Sequence, residues 1–157
     1  MKKLLFILLS VLLISGCSTS SNGPERLLKE KAKYTPVEVN DIFTAKGYSS
    51  AEQDSFIMMV PEKSSYPIIF FIDSSDVKGF TIQGSDYMAA ISTQKNYISS
   101  ISNTSCSFNF DSNKYEGENG KCDQSGIDSV NSAVEEFETW LTDIDLNYND
   151  LKNYISN

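Results

Sequence analysis

Residues 4–14 are apolar except for Ser10, and they follow the cationic start Met1-Lys2-Lys3. As a helix rising ~1.5 Å per residue, such a run covers roughly half of a ~30 Å hydrocarbon core. That is short for a membrane-spanning helix and typical of the apolar region of a secretion signal. A segment of this kind is removed from the mature chain, so the hydrophobic core has to be assembled from residues downstream of it. The small residues Ser15 and Gly16 lead into Cys17, after which the chain turns polar through Ser18, Thr19, Ser20, Ser21, Asn22, Gly23 and Pro24.

Ile14-Ser15-Gly16-Cys17, set behind a basic start and an apolar run, resembles the lipobox of bacterial lipoproteins. The resemblance covers residues 1–17 and does not reach the domain behind them. It implies a signal peptide at 1–16, diacylglyceryl transfer to the Cys17 thiol with palmitate-type chains, and a mature chain tied to the extracytoplasmic face of the cell membrane. Two acyl chains, at ~0.8 kcal/mol per buried methylene, anchor where one binds only marginally. Residues 17–33 are then the lipidated cysteine and a flexible tether. Its Ser/Asn/Gly/Pro opening cannot bury a core, and Arg26, Lys29, Lys31 and Lys33 outnumber Glu25 and Glu30 behind it. A solvated linker is the favoured reading of this stretch over contact with anionic headgroups.

Residues 34–157 are expected to form a single α+β domain: an N-terminal helix, an antiparallel β-meander and C-terminal helices packed on one face. Thr35-Pro36-Val37-Glu38 combines an N-cap hydroxyl, a proline in the first turn and a glutamate placed to reach back, and Gly47 can close the helix, which gives a helix over 36–46. Short apolar runs at 56–60, 68–72 and 80–83 read as strands. Residues 85–102 fit either a helix or two strands joined by a turn, and their serines with Thr93-Gln94-Lys95-Asn96 favour the hairpin. Residues 104–111 alternate, with Cys106, Phe108 and Phe110 on one side. Ile127, Val130, Val134, Phe137, Leu141 and Ile144 recur at helical spacing, and a short helix over 149–155 ends the chain.

Lipidation consumes Cys17 and leaves Cys106 and Cys122 sixteen positions apart, flanking a polar excursion. Export favours their oxidation, so a structural disulfide is expected, with two separate thiols as the alternative. A C-x-x-C redox spacing is absent.

The chain contains no histidine, which removes the commonest neutral-pH base and zinc ligand, and it carries thirteen Lys plus Arg against twenty-one Asp plus Glu. Only Arg26 is an arginine, so nucleic acid is not an expected partner. Asp143, Asp145, Asn147 and Asn149 alternate like a calcium loop, but Tyr148 and Tyr154 stand where that loop needs glycine and glutamate. Glu135 and Glu138 share a helix face and are the carboxylates a histidine-free glycosidase would use, yet acidic residues on the outer side of an amphipathic helix are ordinary. No Gly-x-Ser-x-Gly elbow occurs. No catalytic residue, cofactor or metal is therefore assigned. Ten acidic residues and one lysine between Glu116 and Asp150 make the last third strongly negative, which suits solubility and would also draw cationic proteins or peptides. The expected function is a membrane-anchored, non-catalytic binding domain of the receptor, inhibitor or immunity type. A subunit of an envelope complex and a carboxylate-dependent cell-wall hydrolase are the competing classes.

Overall fold

The Thr35 hydroxyl accepts from the Glu38 backbone N–H, and the Glu38 carboxylate accepts from the Thr35 N–H at 2.9 Å, so both ends of the capping box close. In the computed structural model this cap opens helix α1, Pro36–Ala45, which stops where Gly47 takes a φ of 86°. Val39 and Phe43 are its buried residues. The structure describes residues 33–61, 67–73, 75–117 and 119–155. The expected signal peptide, Cys17 and the tether as far as residue 32 lie outside them. The described residues fall within one compact unit, Lys31–Asn157.

After α1 come eight strands: β1 Tyr48–Gln53, β2 Phe56–Pro61, β3 Ile68–Asp73, β4 Asp76–Gln83, β5 Tyr87–Ser92, β6 Tyr97–Ser100, β7 Cys106–Asn109 and β8 Lys114–Gly117. They form one antiparallel sheet in which each strand pairs with its neighbours in sequence, leaving β1 and β8 at the edges. Two helices follow, α2 Gln124–Asp143 and α3 Tyr148–Tyr154, so the fold is α+β. Among the described residues no helix is long and apolar enough to cross a membrane.

The hairpin reading of 85–102 holds, as β5 and β6. The run at 80–83 is the second half of a longer strand: a bulge at Lys78 sets Phe71 opposite Gly79 and Ile72 opposite Val77. Two strands have no counterpart among the sequence expectations, β1 and β8. Along β1 only Tyr48 is buried, so an apolar alternation never develops. Alternation at 104–111 also predicts a longer strand than β7, because Phe110 leaves the ladder to stack on Tyr148 with ring centroids 4.6 Å apart.

Along the register, Ile57, Phe70, Phe80, Ile91 and Met59, Ile68, Ile82, Ala89, Ile98 are cross-strand neighbours on one side of the sheet, and all are buried. Helix α2 runs against β5, β6 and β7, and α1 against β1 and β2. The buried line of α2 is Gly126, Val130, Ala133, Phe137 and Leu141, whereas Ile127, Val134 and Ile144 of the expected stripe are only half-buried. Small residues allow this close approach: a Cβ at Gly126 would meet the Cys106 Cβ at 2.9 Å. Buried aromatic rings join the layers, with Tyr87 against Phe137 at 5.7 Å and Phe80 against Tyr154 at 6.4 Å.

Candidate binding surface

Cys106 and Cys122 are bridged, with Cα atoms 5.4 Å apart, which ties β7 to the segment entering α2. Glu135 and Glu138 lie exposed on α2. Asp143 ends α2, Asp145 occupies the turn at a φ of 54°, and Asn147 caps α3, its side-chain oxygen accepting from the Asn149 and Asp150 N–H groups at 2.9 and 3.1 Å. The calcium-like alternation is therefore a helix–turn–helix connection. Among the described residues no three His, Cys, Asp or Glu side chains are grouped to hold a metal ion.

The carboxylates with specific structural tasks are others. Glu136, between Glu135 and Glu138, accepts from the Ser85 N–H at 2.7 Å and the Ser85 hydroxyl at 2.6 Å, fastening α2 to the β4–β5 turn. Asp86 accepts from the Ser102 N–H at 2.8 Å and from the Ser102 and Ser100 hydroxyls, and these donors hold its carboxyl below the ordinary range. The Lys152 ammonium and the Asn96 amide do the same to Asp111, joining α3 to the β5–β6 turn. Asp76 is lowered by Lys33 and then Lys78, the Lys33 contact being 2.7 Å.

Two Ser-x-x-Lys spacings occur at these turns, Ser75 with Lys78 and Ser92 with Lys95. The Ser92 hydroxyl donates to the Lys95 carbonyl and accepts from the Gln94 and Lys95 N–H groups, which closes a turn. Lys95 itself reaches Glu116 at 3.8 Å and lies 4.9 Å from the Tyr97 ring centre, and Lys78 pairs with Asp76. Neither lysine is left beside its serine as a base.

The most unusual feature is the other side of the sheet. Its positions line up across strands in three rows. One is Ala51, Met58, Ile69, Thr81, Ala90 and Tyr97; the second is Gln53, Phe56, Phe71, Gly79 and Ser92; the third is Gln83, Met88 and Ser99. Val60, opposite Ser49, extends the apolar area. None of these side chains is charged, in a chain of net charge −8. Phe71 is 44% exposed, Val60 39% and Met88 38%. Charge returns at Asp73 beside the β3–β4 turn, at Lys95, which lies over the ring of Tyr97 in the first row, and at Lys114 and Glu116 on the edge strand β8.

Sequence reasoning missed this surface, although a signal was present. Phe56-Ile57-Met58-Met59-Val60 and Ile68-Ile69-Phe70-Phe71-Ile72 are continuous apolar runs, the pattern of strands covered on both sides. Here one side is buried and the other meets solvent.

No family model, curated protein or solved structure matches the chain.

Proposed function

We propose that this chain is a lipid-anchored extracytoplasmic protein whose domain acts by binding, without catalysis, and that the outer face of the sheet is its contact surface. The observation that supports this reading is the set of uncharged rows through Met58, Phe71 and Met88, which meet solvent on the side of the sheet away from the buried Ile57, Phe70 and Phe80. Sheets covered on one side normally alternate towards polar residues on the other. Keeping Phe56, Met58, Val60, Ile69 and Phe71 there exposes apolar surface that association would bury. The acidic exterior of α2, with Asp128, Glu135 and Glu138 exposed, adds long-range attraction for a cationic protein or peptide that salt should weaken.

The anchor is supported by the lipobox-like 14–17 and would hold the domain at the outer membrane surface, where a receptor, inhibitor or immunity factor meets its partner. Mass spectrometry of native material tests it: a diacylglyceryl-modified Cys17 is expected, and an unmodified thiol in an uncleaved chain overturns it. The binding surface is tested by photo-crosslinking on intact cells. A photoreactive residue replacing Met88 is expected to capture a polypeptide in high yield, whereas one replacing the exposed Asp41 of α1 should capture little. Absence of any adduct from position 88 overturns the assignment of this face.

A further inference from the structure

We infer that the open edge of β1 takes up an extended, cationic segment of a partner polypeptide as an added antiparallel strand of the sheet. The inference rests on the reading of the domain as a binding module, and it names the partner's chemistry and the point of attachment.

Local geometry decides which backbone groups are open. The two-residue turn Asp54-Ser55 makes Gln53 and Phe56 a pair that exchanges both hydrogen bonds, so Gln53, Ala51 and Ser49 bond to β2. The N–H and C=O groups of Glu52 and Ser50 then point away from it. The neighbouring ladder agrees, because the Ile72 N–H donates to the Ser55 carbonyl at 3.0 Å, which turns Ser55, Ile57 and Met59 towards β3 and leaves Phe56, Met58 and Val60 for β1. Among the described residues β2 is the only strand beside β1, and residues 49–53 are all exposed.

The two edges of the sheet are built differently. At four residues β8 is short, carries Lys114 and Glu116, and is fastened to α2 by the hydrogen bond from the Tyr115 hydroxyl to Asn131. Its last residue, Gly117, lies against the Lys121 carbonyl. Short length, charge and a covering loop are ordinary means of keeping an edge from pairing. β1 has none of them: its six residues include no lysine and no proline, and they pair one to one from Tyr48 to Gln53 without a bulge.

Side chains along β1 say what an added strand should carry. Ser49 and Ala51 are small, so an apolar side chain placed opposite Ala51 reaches over it towards Met58 and continues the row Ala51, Met58, Ile69. On the side of Ile57, the exposed Glu52 is the single charge of β1, and a lysine or arginine opposite it makes the favourable cross-strand pair. Alternating apolar and cationic residues therefore fit this edge, and the chain's net charge of −8 favours their approach.

The test is fluorescence anisotropy of the full mature chain in detergent with a labelled synthetic peptide alternating valine and lysine, also prepared with its lysine amides or its valine amides N-methylated. Opposite Glu52 and Ser50, the lysine amides are the ones that bond to β1. The valine-methylated form is expected to bind like the parent, and the lysine-methylated form at least about tenfold more weakly. Ser50→Pro removes one outward N–H at an edge position that tolerates proline and should weaken the parent peptide about as much; Glu52→Gln should weaken it less, with wild-type Trp140 emission. In the saturated complex the Ser50 and Glu52 amides should exchange with solvent at least about tenfold more slowly. Equal binding of the two methylated forms shows ionic attraction alone and overturns the inference, as does unchanged exchange at Ser50 and Glu52 or a parent peptide that never saturates. If the peptide fails while position 88 captures a polypeptide on cells, the edge falls and the contact surface stands. If the peptide binds as described and position 88 captures nothing, the outer face falls and the edge stands.

Discussion

Removing the bridge between Cys106 and Cys122 perturbs the fold at a defined place. The bridge closes a loop of sequence separation 16, which contains edge strand β8 and ends one turn before Gly126 packs on Cys106. For a loop of this length, the unfolded chain's lost entropy contributes about 3 kcal/mol. In a domain whose total stability is of the order of 5–15 kcal/mol, that is a large share. Cys122→Ala is the suitable change, because it leaves the buried Cys106 in place as a small apolar side chain. With a urea m-value of about 1–3 kcal/mol/M, the midpoint should fall by roughly 1–3 M with little change in slope. The reporter is built in: Trp140 is the sole tryptophan, donates its indole N–H to the Tyr48 hydroxyl at 3.0 Å and stacks on Phe137. Wild type measured in reductant should follow the Cys122→Ala curve. Coincident midpoints for oxidised wild type and variant would refute the view that this bridge stabilises the attachment of α2 to β7.

Other changes have different signs. Glu136→Ala removes the carboxylate oxygen that accepts both hydrogen bonds of the Ser85 clamp and should cost about 1–2 kcal/mol, read by the same fluorescence titration, whereas Glu138→Ala should lie within about 0.5 kcal/mol of wild type. Tyr148→Phe should be neutral or stabilising by up to about 1 kcal/mol, because the buried Tyr148 hydroxyl has no hydrogen-bond partner among the described residues and burial pushes its pKa up. Gly84→Ala should destabilise by about 3 kcal/mol or more in thermal unfolding, since its Cβ would lie 1.9 Å from the Tyr87 ring. Asp76, Asp86 and Asp111 have folded-state pKa values below their unfolded ones, so their contribution is complete above about pH 4 and disappears as pH falls through the folded values. Asp86→Asn should accordingly be less stable than wild type at pH 7, with the gap narrowing by pH 2 to 3.

Elements whose local chemistry and packing agree are legible in the sequence alone: the Thr35 cap of α1, the paired runs of β2 and β3, the hairpin of β5 and β6, and the amphipathic α2. The two edge strands are not. Ser49, Ser50, Ala51, Glu52 and Gln53 have no side chain that demands a strand, and β1 exists because β2 offers a free ladder beside the end of α1. Lys114-Tyr115-Glu116-Gly117 is held in the same way by β7. The outer surface is hidden for another reason. Both strands with continuous apolar runs show that two faces are apolar, but only the register and the placement of α1 and α2 decide which face stays open. Glu136 is less conspicuous in the sequence than Glu135 and Glu138 because its value lies in reaching Ser85, fifty-one positions away.

As a binding surface, the outer face of the sheet is expected to be covered in the working protein. Methionine oxidation measures this most directly, because Met58 and Met88 lie on that face while Met59 is fully buried on the opposite one. Brief oxidant treatment followed by peptide mass spectrometry should leave Met58 and Met88 protected on intact cells and oxidised in dilute purified protein, with Met59 protected in both. Equal and rapid oxidation of Met58 and Met88 in the two samples would contradict it.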